Sequence, residues 1–373
     1  MKRRTFLQTA ALAATALSAT PAVKADAAKL KLQFGADGKF KIAQFTDTHY
    51  DTTRRDIAKG SVELIGETLD AEKPQLAVFT GDIVVQDTKE SPNPKEMSEA
   101  GWNEILAPCV ERKIPYAVML GNHDQEKRHH HKSDYDRRGT IEYLSKRPYS
   151  ITQLGPKDVF GASNYILEIF DGDKIANLLY CLDSNDYSQL EGVSGYDWFR
   201  QSQIDWYKKQ SAEYTKQNGG QPLPALAFFH IPLNEYGEMI LYKTFINTEN
   251  DNVKPRGENI IVGVRQEHEC PGAINSGMFL AMKESGDVMG TFVGHDHVND
   301  YIVLNHGIAL GYGRWSGTGT SYGGDRITHG SRLFELTKDG GRSFKTWVRV
   351  RGGEKVAEIQ IPKDLIAVKE DKK

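Results

Sequence analysis

The chain is poor in the features that mark several classes of protein. It has three cysteines among 373 residues, too few for a disulfide scaffold. Its 47 Lys and Arg nearly balance its 50 Asp and Glu, so it offers no broad positive field for nucleic acid. One apolar stretch, residues 10–19, resembles a membrane segment but is too short to span a bilayer. We therefore expect no stable nucleic-acid complex and no transmembrane segment, and the sequence indicates no protein partner.

The remaining composition is that of a globular protein. Apolar residues make up 39% of the chain and charged residues 26%, which excludes disorder, collagen and coiled coil. No internal repeat or shift of composition marks a domain boundary. We therefore predict an N-terminal segment, residues 1–25, followed by a single domain over residues 26–373.

The first 25 residues have the layout of an export signal. A basic start at residues 1–4 precedes the apolar stretch, and small residues follow at 22–25, with cleavage expected after Ala25. The pair Arg3-Arg4 is typical of the twin-arginine route, and a general secretory signal with two arginines fits equally well. Both routes predict an exported protein, periplasmic or secreted.

The three cysteines have different surroundings. Cys109 and Cys181 lie in apolar runs and are predicted to be buried, whereas Cys270 precedes a proline in a loop. An oxidising destination would permit one disulfide among them. None of the three has the surroundings of a catalytic thiol.

Strand and helix signals alternate in the first half of the chain. Strands are predicted at residues 41–45, 76–79 and 117–120, with an amphipathic helix at 56–70 and a second helix at 102–110. This βαβαβ order favours a parallel sheet.

The second half combines hairpins with buried strands. Hairpins are predicted at 164–183, 301–310 and 332–350, a helix at 197–214, and buried strands at 225–229 and 288–293. We therefore expect an α/β fold in which two mixed β-sheets carry helices outside them.

Candidate metal ligands follow directly after five of these strands. In chain order they are Asp47 and His49, Asp82, Asn122 and His123, His230, and His295 and His297. Loops at the carboxyl ends of strands in α/β sheets converge, so we expect these side chains to meet. A spacing of two residues places Asp47 beside His49, and His295 beside His297.

The donor types indicate the chemistry of this site. Imidazoles, carboxylates and an amide oxygen suit two divalent transition metals held close together. Such a pair needs a bridging anion, and Asp82 is the natural bridge. Two ions, two aspartates and a bridging hydroxide leave a net charge of about +1, which favours a phosphate group.

The ordered set of motifs resembles the calcineurin-like metallophosphoesterases. Their pattern is D-x-H, G-D, G-N-H-[DE], H and G-H-x-H, and the match spans residues 42–298. The resemblance implies a four-layer α/β fold, with two mixed β-sheets packed as a sandwich and flanked by helices. It also implies two divalent transition metals as cofactors, Mn, Fe, Zn or Co, which the ligand types do not distinguish.

The same resemblance implies a role for each residue. One metal would be held by Asp47, His49, Asp82 and His297, and the other by Asp82, Asn122, His230 and His295. His123 would not bind metal. It would face the substrate, where it protonates the leaving oxygen or stabilises the transition state.

Three further stretches, residues 160–165, 230–236 and 294–300, are similar to purple-acid-phosphatase-like proteins of the histidine-containing type. True purple acid phosphatases lack a histidine at the position of His49 and place an iron-binding tyrosine at that of Val85, so a purple Fe(III) centre is not expected here. Other branches of the family place at Val85 an aspartate that orients the catalytic histidine. The orienting partner of His123 therefore stays open.

The function we expect is hydrolysis of small phosphorylated substrates, phosphomonoesters first, by a hydroxide held between the two metals. His123 would assist departure of the alcohol. A phosphodiesterase acting on cyclic nucleotides, nucleic acid or phospholipid head groups is the alternative on the same scaffold. A non-catalytic binding protein with the same fold is the alternative of another class.

Two other regions could contribute to function, but surface or loop structure explains them as well. The segment with Arg128, residues 129–131, Arg137 and Arg138 fits a solvated loop and helix start better than a cationic rim. The glycine-rich run 311–324 is expected to be a long ordered loop, although its Arg314, Trp315, Tyr322 and Arg326 could wall a pocket. Asp183 is predicted to lie in a turn.

Overall fold

The computed structural model describes residues 30–85, 94–125, 136–237, 260–319, 321–339 and 341–361. The predicted export segment and residues 128–131 lie outside these ranges. The helices are α1 (Arg55–Glu72), α2 (Pro94–Glu111), α3 (Arg137–Ser145), α4 (Gln201–Gln217) and α5 (Met278–Ser285). None of these helices is both long and apolar enough to cross a bilayer.

The strands belong to two sheets. In chain order they are β1 (Leu32–Gln33), β2 (Lys39–Phe45), β3 (Leu76–Thr80), β4 (Tyr116–Met119), β5 (Tyr165–Asp171), β6 (Lys174–Cys181), β7 (Ala225–Phe228), β8 (Ile260–Val262), β9 (Val288–Val293), β10 (Ile302–Asn305), β11 (Ile308–Tyr312), β12 (Gly330–Thr337), β13 (Phe344–Val350) and β14 (Lys355–Ile361).

The smaller sheet has the order β14-β13-β12-β2-β3-β4. Its β2, β3 and β4 run parallel, joined by α1 and α2, as the βαβαβ pattern predicts. The two helices cover its outer face, where Ile65, Trp102 and Ile105 are buried against the strands. The other three strands continue this sheet in antiparallel pairs.

The larger sheet has the order β1-β5-β6-β7-β9-β11-β10-β8 and mixes parallel with antiparallel pairs. The hairpins β5–β6 and β10–β11 form where the turn signals predict them. Helices α4 and α5 contribute Tyr207 and Met282 to the core on its outer face.

Aromatic side chains from both sheets fill the space between them. The ring centroids of Phe292 on β9 and Phe334 on β12 lie 4.4 Å apart, and Phe228 and Phe344 join the same cluster. Each fully buried ring stabilises the fold by about 1.5–3 kcal/mol. The expected sandwich of two mixed sheets with helices outside is therefore confirmed.

The carboxyl ends of β2, β3, β4, β7 and β9 lie at one edge of this sandwich, where backbones approach closely. A Cβ on Gly294 would lie 1.9 Å from Thr46 Oγ1. Gly81 has a φ of +89°, and a Cβ there would lie 2.5 Å from His230 Nδ1. Only glycine fits at both positions, which lets the loops from the two sheets meet.

The burial of the three cysteines agrees with the prediction from the sequence. Cys109 in α2 and Cys181 in β6 are buried, and Cys270 is exposed. All three are free, so the structure contains no disulfide among these described residues. Burial raises the pKa of Cys181 to about 12, and also raises that of Cys109, which fits their interpretation as small core residues.

Candidate metal centre

The backbone turns sharply at the strand ends that carry the candidate ligands. Asp47, His49, Asp82 and His295 have φ values of +54°, +42°, +53° and +77°. Such left-handed conformations cost about 1–3 kcal/mol each for residues with a side chain and concentrate at functional sites. Main-chain hydrogen bonds hold them: Asp47 N donates to Gly81 O at 3.0 Å, and His49 N donates to Asp82 O at 2.9 Å.

The first cluster consists of Asp47, His49 and His297, all buried. The Nε2 atoms of His49 and His297 lie 3.0 Å apart, and Asp47 Oδ1 lies 3.5 Å from His297 Nε2. Two nitrogens that share one ion at bonds of about 2.1 Å lie about 3.0–3.4 Å apart. The spacing therefore fits two imidazoles on one metal.

The second cluster consists of Asp82, His230 and His295, with Asn122 beside them. His230 Nε2 lies 3.1 Å from Asp82 Oδ2, 3.1 Å from Asn122 Oδ1 and 3.3 Å from His295 Nδ1. These are again the distances expected between donors that share one ion. The arrangement can hold a second metal with two imidazoles, a carboxylate and an amide oxygen.

Asp82 lies between the two clusters. Its Oδ2 is 3.1 Å from His230 Nε2 on one side and 3.8 Å from His49 Nε2 on the other. Its Oδ1 accepts a hydrogen bond of 2.7 Å from the main-chain N–H of His123. One oxygen of this carboxylate thus faces both groups of imidazoles, as a bridging ligand would.

Hydrogen bonds on the far side of two imidazoles fix their orientation. His230 Nδ1 is paired with Thr80 O at 2.8 Å, and His297 Nδ1 with Tyr322 O at 3.1 Å. A carbonyl only accepts, so each Nδ1 carries a proton and each Nε2 is the ring atom directed at its cluster.

The electrostatics of the site favour bound cations. Burial and the neighbouring His297 lower the pKa of His49 to about 3, and burial and His230 do the same for His295. Both rings are therefore neutral donors at neutral pH. Burial opposes charge on His230 as well, but the carboxylates of Asp82 and Asp47 outweigh it and raise its pKa to about 9. The carboxylates thus attract positive charge, which divalent ions would supply.

His123 lies beside both clusters and in neither. Its Nε2 is 4.0 Å from Asp82 Oδ2, and its ring centroid is 5.3 Å from that of His49. Its side chain is 18% exposed, against 5% or less for His49, His230 and His297. Among the imidazoles of the site, this one is therefore the most accessible to a substrate.

No role for Asp124 was predicted from the sequence, but the structure shows one. Its Oδ1 accepts from the N–H groups of Ile83 and Val84 at 2.8 and 3.0 Å, and its Oδ2 from those of Asp82 and Gly121 at 2.9 and 2.7 Å. Burial and the Asp82 carboxylate raise the pKa of Asp124, while the four donors favour its charged form. Asp124 therefore ties the turn that carries Asp82 to the next strand end. Its position at the end of the G-N-H-D motif, residues 121–124, is the feature of the sequence that could have pointed to this role.

Two predictions about charged residues are wrong: that Arg137 lies at a solvated helix start, and that Asp183 lies in a simple turn. Arg137, at the start of α3, is mostly covered, with 16% of its side chain exposed, and forms an ion pair with the buried Asp183. Asp183 is therefore not a simple turn residue. Arg137 also donates to Gly121 O at 2.7 Å, next to Asn122. Burial opposes ionisation of Asp183, but Arg137 outweighs it and lowers the pKa. The contact joins residues 46 positions apart, and nothing in the local sequence predicts it.

The glycine-rich run places two aromatic rings against His297. Tyr322 stacks on the imidazole with centroids 4.0 Å apart and planes at 12°, and Trp315 lies at 5.1 Å and 23°. Trp315 Nε1 also donates to Asp47 O at 3.0 Å. Arg314, by contrast, pairs with Asp300 and does not wall the site. The run is thus ordered over the residues described, and part of it covers the first cluster.

The fold and the paired clusters correspond to one protein family. The family model for calcineurin-like phosphoesterases matches residues 40–299, most of the chain. The chain belongs to this family, and the resemblance inferred from its motifs is confirmed. Within the described residues of this chain, the two clusters are the groups that could hold metal ions.

Two individual proteins show how similar this chain is to named relatives. The chain is 34% identical over 325 residues to "Probable inactive purple acid phosphatase 14" of Arabidopsis thaliana, covering 78% of this chain and 74% of that protein. It is 32% identical over 355 residues to "Phosphatase DCR2" of Saccharomyces cerevisiae, covering 88% of this chain and 57% of that protein. These relatives confirm the resemblance to purple-acid-phosphatase-like proteins.

A solved structure supports the fold. A dimetal phosphatase from Danio rerio superposes with a TM-score of 0.55 and 15% identity, covering 87% of this chain and 98% of that one. At this identity the likeness concerns the arrangement of sheets and helices alone.

Proposed function

We propose that this protein hydrolyses phosphate esters, with phosphomonoesters preferred, using two divalent transition metals, Mn, Fe, Zn or Co. The observation that carries the proposal is the position of Asp82 Oδ2, 3.1 Å from His230 in one cluster and 3.8 Å from His49 in the other. A carboxylate oxygen that faces imidazoles of both clusters is the arrangement that a bridged pair of ions requires.

The roles of the ligands follow from this geometry. Asp47, His49 and His297 would hold one ion, Asn122, His230 and His295 the other, with Asp82 shared between them. Two bound divalent ions would supply positive charge for the phosphoryl oxygens and would lower the pKa of the attacking water.

His123 would act on the substrate from outside both clusters. Its main-chain N–H donates to Asp82 Oδ1 at 2.7 Å, which holds the backbone of His123 next to the bridging carboxylate. A positioned imidazole at the accessible side of the site can protonate the leaving alcohol. Val85 carries no group that could orient this ring, and Asp82 Oδ2 lies 4.0 Å from its Nε2.

Phosphodiesters are the second candidate on this scaffold. The formal net charge of −3 disfavours long nucleic acid as substrate and leaves cyclic nucleotides and phospholipid head groups open. A panel of one monoester and one of each diester class, tested on metal-loaded protein, orders these substrates.

A non-catalytic binding protein is the candidate of another class. The words "Probable inactive" in the names of the Arabidopsis relatives favour it. The completeness of both clusters and the presence of His123 favour catalysis instead. Protein that carries two metals per chain and hydrolyses neither monoesters nor diesters would support the binding protein.

The decisive experiment compares His123→Ala with His230→Ala on an alkyl phosphate and on a nitrophenyl phosphate, with metal counted in each sample. We expect His123→Ala to keep its metals and to lose about 10²–10⁴ in kcat on the alkyl ester. The loss on the nitrophenyl ester should be smaller, because that leaving group needs little protonation. His230→Ala should lose metal together with activity on both esters.

Two outcomes would change this assignment. Equal loss on the two esters in His123→Ala would remove the leaving-group role and leave electrostatic stabilisation. Loss of metal from His123→Ala would show that the residue belongs to the ligand set after all.

A further inference from the structure

A hairpin-like segment covers the second cluster. It runs from the end of β6 to the start of α4 and folds back on itself, with Tyr187 opposite Tyr196 and Ser188 N donating to Gly195 O at 2.9 Å. Its tip is open to solvent, since Leu190 is 49% exposed. The base of the segment, not its tip, is the part that reaches the cluster.

The two tyrosines at the base are stacked on each other and contact the candidate ligands. Their ring centroids lie 5.6 Å apart with planes at 27°. Asn122 Nδ2 donates to the hydroxyl oxygen of Tyr187 at 3.0 Å. The ring of Tyr196 stands perpendicular to that of His295, with centroids 4.3 Å apart.

The two tyrosines are more exposed to solvent than the candidate ligands that they contact. Asn122 and His295 are buried, whereas both tyrosines keep part of their surface in solvent. The exposed parts of the two rings therefore lie next to the second cluster, where they can contact a bound substrate. Tyr187 also contacts Asn122, the chain neighbour of His123.

We propose that Tyr187 and Tyr196 form the contact surface for the organic part of the substrate and select esters whose leaving group carries a planar aromatic ring. This inference rests on the proposed function and deepens it by naming a substrate class. A pair of stacked rings offers an incoming ring both apolar area and favourable quadrupole geometry, a preference that a saturated ring of similar size does not share. The two tyrosines determine specificity and take no part in the chemical step.

The test compares benzyl phosphate with cyclohexylmethyl phosphate. Both have a six-membered ring on one methylene and an alkoxide leaving group, so the difference between them is aromaticity. We expect KM to be about 3- to 10-fold lower for the benzyl ester, the range that aromatic pairing supplies beyond buried area. Tyr196→Leu should abolish that preference, so that the KM values of the two esters become equal.

Two matched variants complete the design. Tyr187→Phe keeps the ring and should keep most of the preference, and Leu190→Ala, at the exposed tip, should keep all of it. Metal content is measured in every variant. An unchanged preference in Tyr196→Leu would overturn the proposal. So would equal losses on both esters with loss of metal, because the tyrosine would then only support His295.

A binding measurement separates this inference from the proposed function. Benzylphosphonate and cyclohexylmethylphosphonate cannot be hydrolysed, and calorimetry on the metal-loaded protein compares their affinities directly. If the protein hydrolyses neither ester but binds the benzyl compound more tightly, in a manner that depends on Tyr196, the specificity surface stands and hydrolysis fails. If it hydrolyses both esters without preference, the aromatic surface is wrong and the proposed function stands.

Discussion

The two clusters are built from the same kinds of donor, but different structures support them. In the first, His297 is oriented by Tyr322, a residue of the glycine-rich run that is itself 49% exposed. In the second, His230 is oriented by Thr80 at the end of a central strand, and Asp82 is held by the buried Asp124. Supports in the core open rarely, whereas exposed loop residues open with little cost in free energy. We therefore expect the second cluster to retain its metal longer than the first.

The largest expected effect comes from removing the residue that both clusters share. Asp82→Ala leaves two cations without the carboxylate between them, so occupancy should fall at both sites. Asp47→Ala should weaken mainly the first. Metal counted after dialysis of each variant checks this. Two tightly bound metals in Asp82→Ala would show that Asp82 is no bridge.

The next effect concerns the support of the second cluster. Asp124→Asn keeps the shape of the side chain, but its amide nitrogen would face two of the four N–H donors that the carboxylate now accepts. We expect the free energy of unfolding to fall by about 2–4 kcal/mol, because buried donors are left without acceptors. Chemical denaturation of the metal-free protein measures this change.

The same variant should also weaken metal binding, at the second cluster most, because Asp82 N is one of the donors released and Asp82 belongs to that cluster while also facing the first. An unchanged free energy of unfolding in Asp124→Asn would mean that the four hydrogen bonds contribute nothing net. The comparison between the two clusters would then lose its main physical cause.

The smallest effect concerns the support of the first cluster. Tyr322→Ala removes the ring stacked on His297 but keeps the main-chain carbonyl that accepts from its Nδ1. We expect affinity at the first site to fall about 10-fold, the lower end of what outer contacts of metal ligands supply. Titration with a chelator resolves the two sites.

Tyr322→Phe is the matched control, since it keeps the ring and loses only the hydroxyl. The lost hydroxyl accepts a hydrogen bond from His297 N at 3.3 Å and donates one to His295 O at 3.4 Å. Tyr322→Phe should therefore lose less affinity at the first site than Tyr322→Ala, and both variants should change the second site less than the first. Equal weakening of both sites by Tyr322→Ala would contradict independent support of the clusters.

Much of the fold and the meeting of the site residues could be predicted because their signals are local. The buried strand at 288–293 is a continuous apolar run, and the structure reproduces its bounds. The candidate ligands come directly after such runs, so predicting the strands also places the ligands at one edge. The helix at 56–70 showed its apolar face and is found as Arg55–Glu72.

The features that could not be predicted from the sequence depend on contacts between distant parts of the chain. The pair of Arg137 and Asp183 has no local signature, because a charged residue at a helix start is usually solvated and an aspartate at a strand end usually lies in a turn. The stack of Tyr322 on His297 likewise depends on how a glycine-rich run folds back. Composition shows that such a run can bend but not which residue it covers.

The left-handed backbone at Asp47, His49, Asp82 and His295 affects how substitutions there should be interpreted. These torsion angles are set by the surrounding hydrogen bonds, so the donors are preorganised and an arriving ion need not order the chain. Aspartate, histidine and alanine all carry a Cβ and incur a cost at such angles, whereas glycine does not. An alanine variant therefore removes a ligand at nearly unchanged backbone cost, while a glycine variant at the same position also relieves the cost of the turn that presents it.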